Sequence, residues 1–376
     1  MSFTSNVSQQ FSDLAQAFLH GHLNFLSPIG GVGRDPILYH GKIYWGEGPF
    51  PAILLMPFVG LFNLFHIFYA QGYIQWALIA GVVFLVYKLA RLIGYVRVDS
   101  YILMLGFTLG SVFMGVAAFS SGWLFAQVVI TFLLFWALYE FLTRKRWWLL
   151  GAISGMILMT RVPAACLILF FVLEIWQERR PRREAARIYL KFFVPVVVAG
   201  TLLALYNVAR FHSPFNGGFA YQLLPADSAV SRSEGLFSVV HIPANLFSFL
   251  FGAPITVHLA NTWTLKAPFI ENNPYGLSIF LTSPYFAYLL SQKWSAYSQR
   301  SRNLLVAIGV SFVLVMSFYG IGRQQLGYRY SLDFLPELFV VFMIVYKASH
   351  ERLSKGMKAL LILPIYLNFY LFWTYI

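Results

Sequence analysis

Long apolar runs alternate with short polar junctions along the chain. Runs close to the ~17–25 residues needed to cross ~30 Å of hydrocarbon occupy 73–96, 101–119, 122–142, 189–209, 303–319 and 358–376, with shorter ones at 276–290 and 334–346. The pattern predicts an all-α polytopic membrane protein. Two stretches break the rhythm. Residues 51–70 are apolar, yet counting them as a span would switch the side of every basic junction that follows. They are expected to form a helix along the outer surface, or dipping into it, interrupted at Pro57; an ordinary span is the alternative. Residues 148–176 are basic at both flanks but too few for two full helices. Two half-length helices meeting near Arg161-Val162-Pro163 resolve this, because a broken helix is tolerated at membrane depth where protein or a cavity covers its backbone. One tilted span with Arg161 buried against a polar partner is the competing solution.

Composition fits this reading. Hydrophobic residues make up 59% of the 376 and charged ones 11%, where a soluble domain carries roughly 25% charge, so residues 1–376 are expected to form a single membrane domain without a soluble appendage. The net charge of +13 does not mark a nucleic-acid binder, because the basic residues are not gathered on one stripe. They sit at the junctions: Lys88/Arg91/Arg97, Arg144–Arg146, Arg179–Lys191, Lys293/Arg300/Arg302, Lys347/Arg352/Lys355 and Lys358. Placing those junctions in the cytoplasm puts 19 of the 27 Lys and Arg inside, as the positive-inside rule requires. Residues 1–50, 211–274 and 320–333 then lie outside. A chain that begins outside with neither signal peptide nor anchor leads to the expectation of a further apolar helix upstream of residue 1.

The polar chemistry concentrates in the outer segments. Residues 33–51 pack Asp35 and Glu47, Arg34 and Lys42, and four aromatics into a turn-rich stretch, where a carboxylate and a phosphate-holding cation can work together. An interfacial aromatic belt would look similar. Arg161, disfavoured by ~2.5–3.5 kcal/mol at helix depth, Arg210 at the outer end of a span, and Arg323 and Arg329 on the last outer turn add guanidinium groups suited to a lipid phosphate; taken singly, each could be an interfacial or structural arginine. The eight histidines show no metal-ligand spacing and the single Cys166 no disulfide partner, so no cofactor is assigned; a divalent metal stays open but has no spacing to support it. No glycine-rich phosphate loop or dinucleotide fingerprint is present.

Several strings resemble one family. Leu14-Ala15-Gln16-Ala17-Phe18-Leu19-His20-Gly21, Gly41-Lys42-Ile43-Tyr44, Gly48-Pro49-Phe50-Pro51-Ala52, Leu158-Met159-Thr160-Arg161, Tyr206-Asn207-Val208-Ala209-Arg210-Phe211, Ser278–Pro284 and Gly327–Pro336 are similar, in order, to motifs of polytopic C-type-fold glycosyltransferases that use polyprenyl-phosphate-linked sugars. The branch resembled contains protein mannosyltransferases and rhizobial lipopolysaccharide sugar transferases. The resemblance implies a C-type helical bundle with juxtamembrane helices on the outer surface, in the cytoplasmic membrane of a prokaryote. It also implies inverting transfer of a sugar from a polyprenyl-phosphate donor to a lipid, glycan or protein acceptor on the outer face. A transporter or flippase, and a non-catalytic scaffold, are the alternatives.

On that reading Lys42, Tyr44, Arg161, Arg210, Arg323, Tyr328, Arg329 and Asp333 contact the donor. The catalytic carboxylate is sought among Asp35, Glu47 and Asp13, because the acidic residue that relatives carry before the first helix is replaced here by Asn6 and Val7. Asp35 comes first, stiffened by Pro36 and oriented by Arg34; Glu47, between two glycines, is expected to be mobile; Asp13 already complements the dipole of its helix.

Overall fold

The computed structural model describes residues 8–27 and 35–375. Arg34, Asn6 and Val7 therefore lie outside the described residues. In chain order, helix α1 (Gln10–Leu19) precedes a hairpin of β1 (Ile37–Tyr39) and β2 (Lys42–Tyr44). There follow α2 (Phe50–Asn63), α3 (Gln71–Ile93), α4 (Arg97–Thr108), α5 (Phe113–Ala117), α6 (Gly122–Thr143), α7 (Trp147–Leu158), α8 (Leu167–Gln177) and α9 (Arg182–Phe211). After α10 (Ala226–Ser233) and α11 (Ile242–Phe251), strands β3 (Ile255–His258) and β4 (Leu265–Glu271) form a second hairpin. The chain ends in α12 (Ile279–Thr282), α13 (Ala287–Leu290), α14 (Gln299–Ser317), α15 (Leu335–Ser349) and α16 (Lys355–Tyr375).

The fold is thus all-α and polytopic, with two antiparallel two-stranded hairpins among the described residues. Among the described residues, α3, α6, α9, α14 and α16 are long and apolar enough to cross a bilayer, as the runs at 73–96, 122–142, 189–209, 303–319 and 358–376 predict. At 14 residues, α2 is too short to span. The run 148–176 is broken as expected: α7 ends at Leu158, a 3₁₀ turn covers Pro163–Cys166, and α8 begins at Leu167.

The run 101–119 departs from expectation. It is not one span but two pieces, α4 and α5, parted at Leu109–Val112. A Cβ on Gly110 would lie 2.9 Å from the Leu361 carbonyl, and one on Gly106 would lie 2.5 Å from Leu361 Cδ2, so α16 presses directly on this backbone. Carbonyls freed by the break are met by side chains: Asn368 donates to Leu109 O at 3.1 Å, and Ser111 Oγ to Phe107 O at 2.6 Å. The apolar stretch 276–290 likewise yields only α12, a 3₁₀ turn and α13.

The chain forms two interleaved compact units, residues up to Ala80 with Phe119–Leu236, and Gly81–Ala118 with Phe237–Ile376. In the first, α7 and α9 pack backbone to backbone. A Cβ on Gly151 would fall 2.1 Å from Phe192 O, and one on Gly155 2.6 Å from Ala199 Cβ; small residues permit this approach in lipid, where hydrophobicity supplies no force between helices. Buried glutamines fasten α1. Gln9 accepts from Gln71 N at 2.8 Å, Phe11 N donates to Gln71 at 3.0 Å, and Gln10 accepts from Gly122 N at 2.9 Å, so the starts of α3 and α6 have their open amides met by side chains. In the second unit, buried Asp99 bonds Leu353 N at 2.9 Å and Lys358 at 3.0 Å, which ties α4 to the start of α16.

Candidate active site

The first unit collects most of the sequence-predicted residues. Hairpin β1–β2 turns at His40 and Gly41, both at positive φ (47° and 71°), the two-residue geometry that matches strand twist and that glycine adopts without strain. Lys42 stands exposed beside the turn, and Tyr44 is buried against Phe211, ring centroids 5.3 Å apart. Burial raises the Tyr44 phenol above its ordinary value, while Arg210 pulls the other way and Tyr39 adds to the rise. Tyr44 is therefore a neutral donor at physiological pH.

Arg210, 3% exposed, closes the next step of the loop. Its Nη1 donates to the Trp45 carbonyl at 2.8 Å and its Nη2 to Asn207 Oδ1 at 2.9 Å. The guanidinium lies over the Tyr206 ring, 3.7 Å from its centroid, a stacked arrangement that Arg forms and Lys cannot reproduce. Asn207 also donates to Pro214 O at 3.1 Å, so the Tyr206–Arg210 string fixes both the first loop and the chain that leaves α9. Among the described residues, Arg210 Nε and the Tyr206 hydroxyl are buried and bond no protein group.

Glu47 follows, and its setting differs from the expected mobility. Gly48 is pressed against the end of α7: a Cβ there would sit 2.0 Å from Met159 O and 2.9 Å from Thr160 O. Phe50 N donates to Met159 O at 3.2 Å. Only glycine fits, and the loop is thereby pinned to the helix break. At that break Arg161 points back, its Nη1 3.4 Å from Glu47 Oε2, with the two side chains 11% and 20% exposed. A carboxylate and a guanidinium 114 residues apart in sequence are brought together at the interruption of an apolar helix.

Asp35 has φ 49° and sits at the foot of β1, where Gln222 donates to its carbonyl at 3.4 Å and Ile37 pairs with Gln222. Asp13 lies in the first turn of α1, partly buried. Sequence reasoning overlooked Trp45 and the glutamines at 9, 10 and 71. The glutamines were detectable as polar side chains opening apolar helices.

The remaining predicted residues belong to the second unit. Arg323 is exposed. Tyr328 is buried and donates to Asn245 at 2.9 Å; Asn245 in turn donates to Met316 O and Phe318 O at 2.9 and 2.7 Å. Arg329, largely buried, donates to the Tyr330 hydroxyl at 3.1 Å. Asp333 is fully buried, its carbonyl accepting from Ser311 at 3.4 Å. No group of three or more His, Cys, Asp or Glu placed to hold a metal occurs among the described residues.

No protein-family model and no curated protein matches the sequence. The chain is similar to two solved structures from Archaeoglobus fulgidus. One is the oligosaccharyltransferase in its apo form, at 13% identity and TM-score 0.48, with 97% of this chain and 51% of that one covered. The other is the archaeal oligosaccharyltransferase AglB in complex with an inhibitory peptide and a dolichol-phosphate, at 13% identity and TM-score 0.43, with 98% and 52% covered. The chain spans about half the length of either.

Proposed function

We propose that the chain is a C-type membrane glycosyltransferase that transfers a sugar from a polyprenyl-phosphate carrier to a lipid, glycan or protein acceptor at the outer face of a prokaryotic cytoplasmic membrane. The observation that carries this reading is the Glu47–Arg161 pair, held at a helix break by the Gly48 contact with Met159. The ordered motifs shared with that family support it, as does the polytopic helical fold. In the reaction the acceptor oxygen bonds the anomeric carbon while the carbon–oxygen bond to the lipid phosphate breaks. The bonding pair leaves with the phosphate and the configuration inverts. Glu47 accepts the acceptor proton or orients its hydroxyl, and Arg161, beside it, stabilises charge growing on the departing phosphate. Lys42 and the neutral Tyr44 serve the phosphate from the hairpin. Arg210 sets the hairpin's position. Glu47 replaces Asp35 as first candidate base because its backbone is pinned and a cation faces it.

The test uses a deletion strain. Loss of the gene should leave polyprenyl-phosphate sugar accumulating on the outer leaflet and an envelope glycan or glycoprotein shortened; wild type and Asp35→Asn should restore it, and Glu47→Gln, inserted at equal amount, should not. Accumulation of the donor on the inner leaflet instead would mean transport. A glycan unchanged by the deletion would reject the enzyme reading.

A further inference from the structure

In the second unit, the β3–β4 hairpin carries a set of large apolar side chains turned to the outside on an element too short to span a membrane. Trp263 at the tip is 94% exposed, and Ile255, Leu259, Leu265 and Phe269 are all exposed. On the opposite side of β4, Ile270 packs onto the buried cluster of Leu277, Leu326 and Leu371. Two bonds fix the direction of the strand: Thr374 Oγ1 accepts from Asn272 N at 3.3 Å, and the Tyr370 hydroxyl donates to Pro268 O. From 272 to 268 the strand follows α16 from its last turn back by one turn, ~6 Å toward the middle of the helix. Since α16 is long and apolar enough to cross a bilayer, the C-terminal end of β4 lies beside the membrane-boundary end of α16, the helix that also exposes Tyr366, Phe369 and Trp373.

We propose that the β3–β4 hairpin is a lipid anchor, embedded in the leaflet that surrounds the C-terminal end of α16, with phospholipid at the headgroup level as its partner. A two-stranded sheet has two open edges, which hydrocarbon does not tolerate, so insertion stops in the interfacial zone. The side chains match that zone. Trp partitions there, and Lys266, exposed on the same strand, meets lipid phosphate. The polar Asn261, Thr262 and Thr264 keep the tip from sinking further.

The test is fluorescence in proteoliposomes of the full chain with Cys166→Ser, carrying a polarity-sensitive probe on Trp263→Cys, on Leu265→Cys (which retains Trp263), or on Asp227→Cys of the exposed, polar α10. The probes at 263 and 265 should emit to the blue of that at 227, lose intensity to phospholipids spin-labelled near the headgroup more than to those labelled at the chain end, and resist iodide. Lipid quenching at 265 alone supports the anchor and assigns the loss at 263 to the missing indole. Iodide quenching equal to that at 227 for both hairpin positions, with none by lipid, would overturn it. So would protection that grows with protein density at fixed lipid composition, the sign of a second copy covering the hairpin.

Discussion

Two Glu–Arg pairs of the first unit invite comparison. Glu140 and Arg146 are six residues apart, across the junction of α6 and α7. Arg146 Nε and Nη2 meet the two carboxylate oxygens at 2.8 Å each, and Arg146 N adds a third bond at 3.1 Å. This is a bidentate pair closing a tight turn, and its geometry accounts for its presence. Glu47 and Arg161 lie far apart in sequence and meet at 3.4 Å where a helix is interrupted. A clip that merely closes a turn needs no broken helix and no glycine pressed on a carbonyl. Pairing alone does not distinguish a structural carboxylate from a chemical one; the helix break and the close Gly48–Met159 approach around Glu47 are what motivate its proposed role.

The largest expected contrast is in turnover. Positioned acid–base groups contribute ~10²–10⁴-fold, so Glu47→Ala should lower transfer by about that factor with the membrane-inserted amount unchanged. Glu140→Ala should reduce the folded amount and leave turnover per folded molecule within about threefold. Radiolabelled sugar transfer, normalised to monodisperse protein, checks both, and a dead but well-folded Glu140→Ala would erase the distinction. Next comes Gly48→Ala, whose added methyl must push the loop off Met159: overpacking of this kind costs about 1–3 kcal/mol, seen as a lower melting temperature together with lost activity. Arg210→Lys keeps the charge and loses the stacked fork that holds Trp45 O and Asn207; a smaller drop in melting temperature is expected, with donor affinity reduced as the hairpin loosens.

The smallest effect concerns Glu178, between α8 and α9. Burial pushes its carboxyl up, but bonds from Lys145 and Arg180 outweigh that and hold it below the ordinary 4.5. A folded-state value depressed in this way adds stability that is present above 4.5 and lost as pH falls through the lowered value. Wild type should therefore lose more melting temperature than Glu178→Gln between pH 5 and pH 3, in a thermal scan at about those two values. Equal losses would show that the pair contributes nothing.

Much of this architecture could be read from the chain because lipid imposes length: five apolar runs became five helices capable of spanning. The interruption at 161–163 was also legible, since Arg161-Val162-Pro163 joins a costly charge to a residue that lacks an amide donor. The break in 101–119 was not. Its cause is the backbone of Leu361 and the amide of Asn368, which residues near 110 do not announce. Glu47 failed for the same reason. Between two glycines it looks loose, while the close approach of its neighbour Gly48 to the Met159 carbonyl involves a segment more than a hundred residues away. Arg210 was recognised by its motif, whereas its bond to the Trp45 carbonyl depends on two segments meeting in the fold.

The central claim, that Glu47 beside Arg161 does chemistry, is tested most directly by single-turnover transfer with purified Glu47→Gln at saturating polyprenyl-phosphate sugar, alongside donor binding by the same preparation. The transfer step should slow by ~10²–10⁴ with donor affinity within about threefold of wild type. Transfer at the wild-type rate, or a loss of donor affinity that accounts for the whole defect, would contradict it.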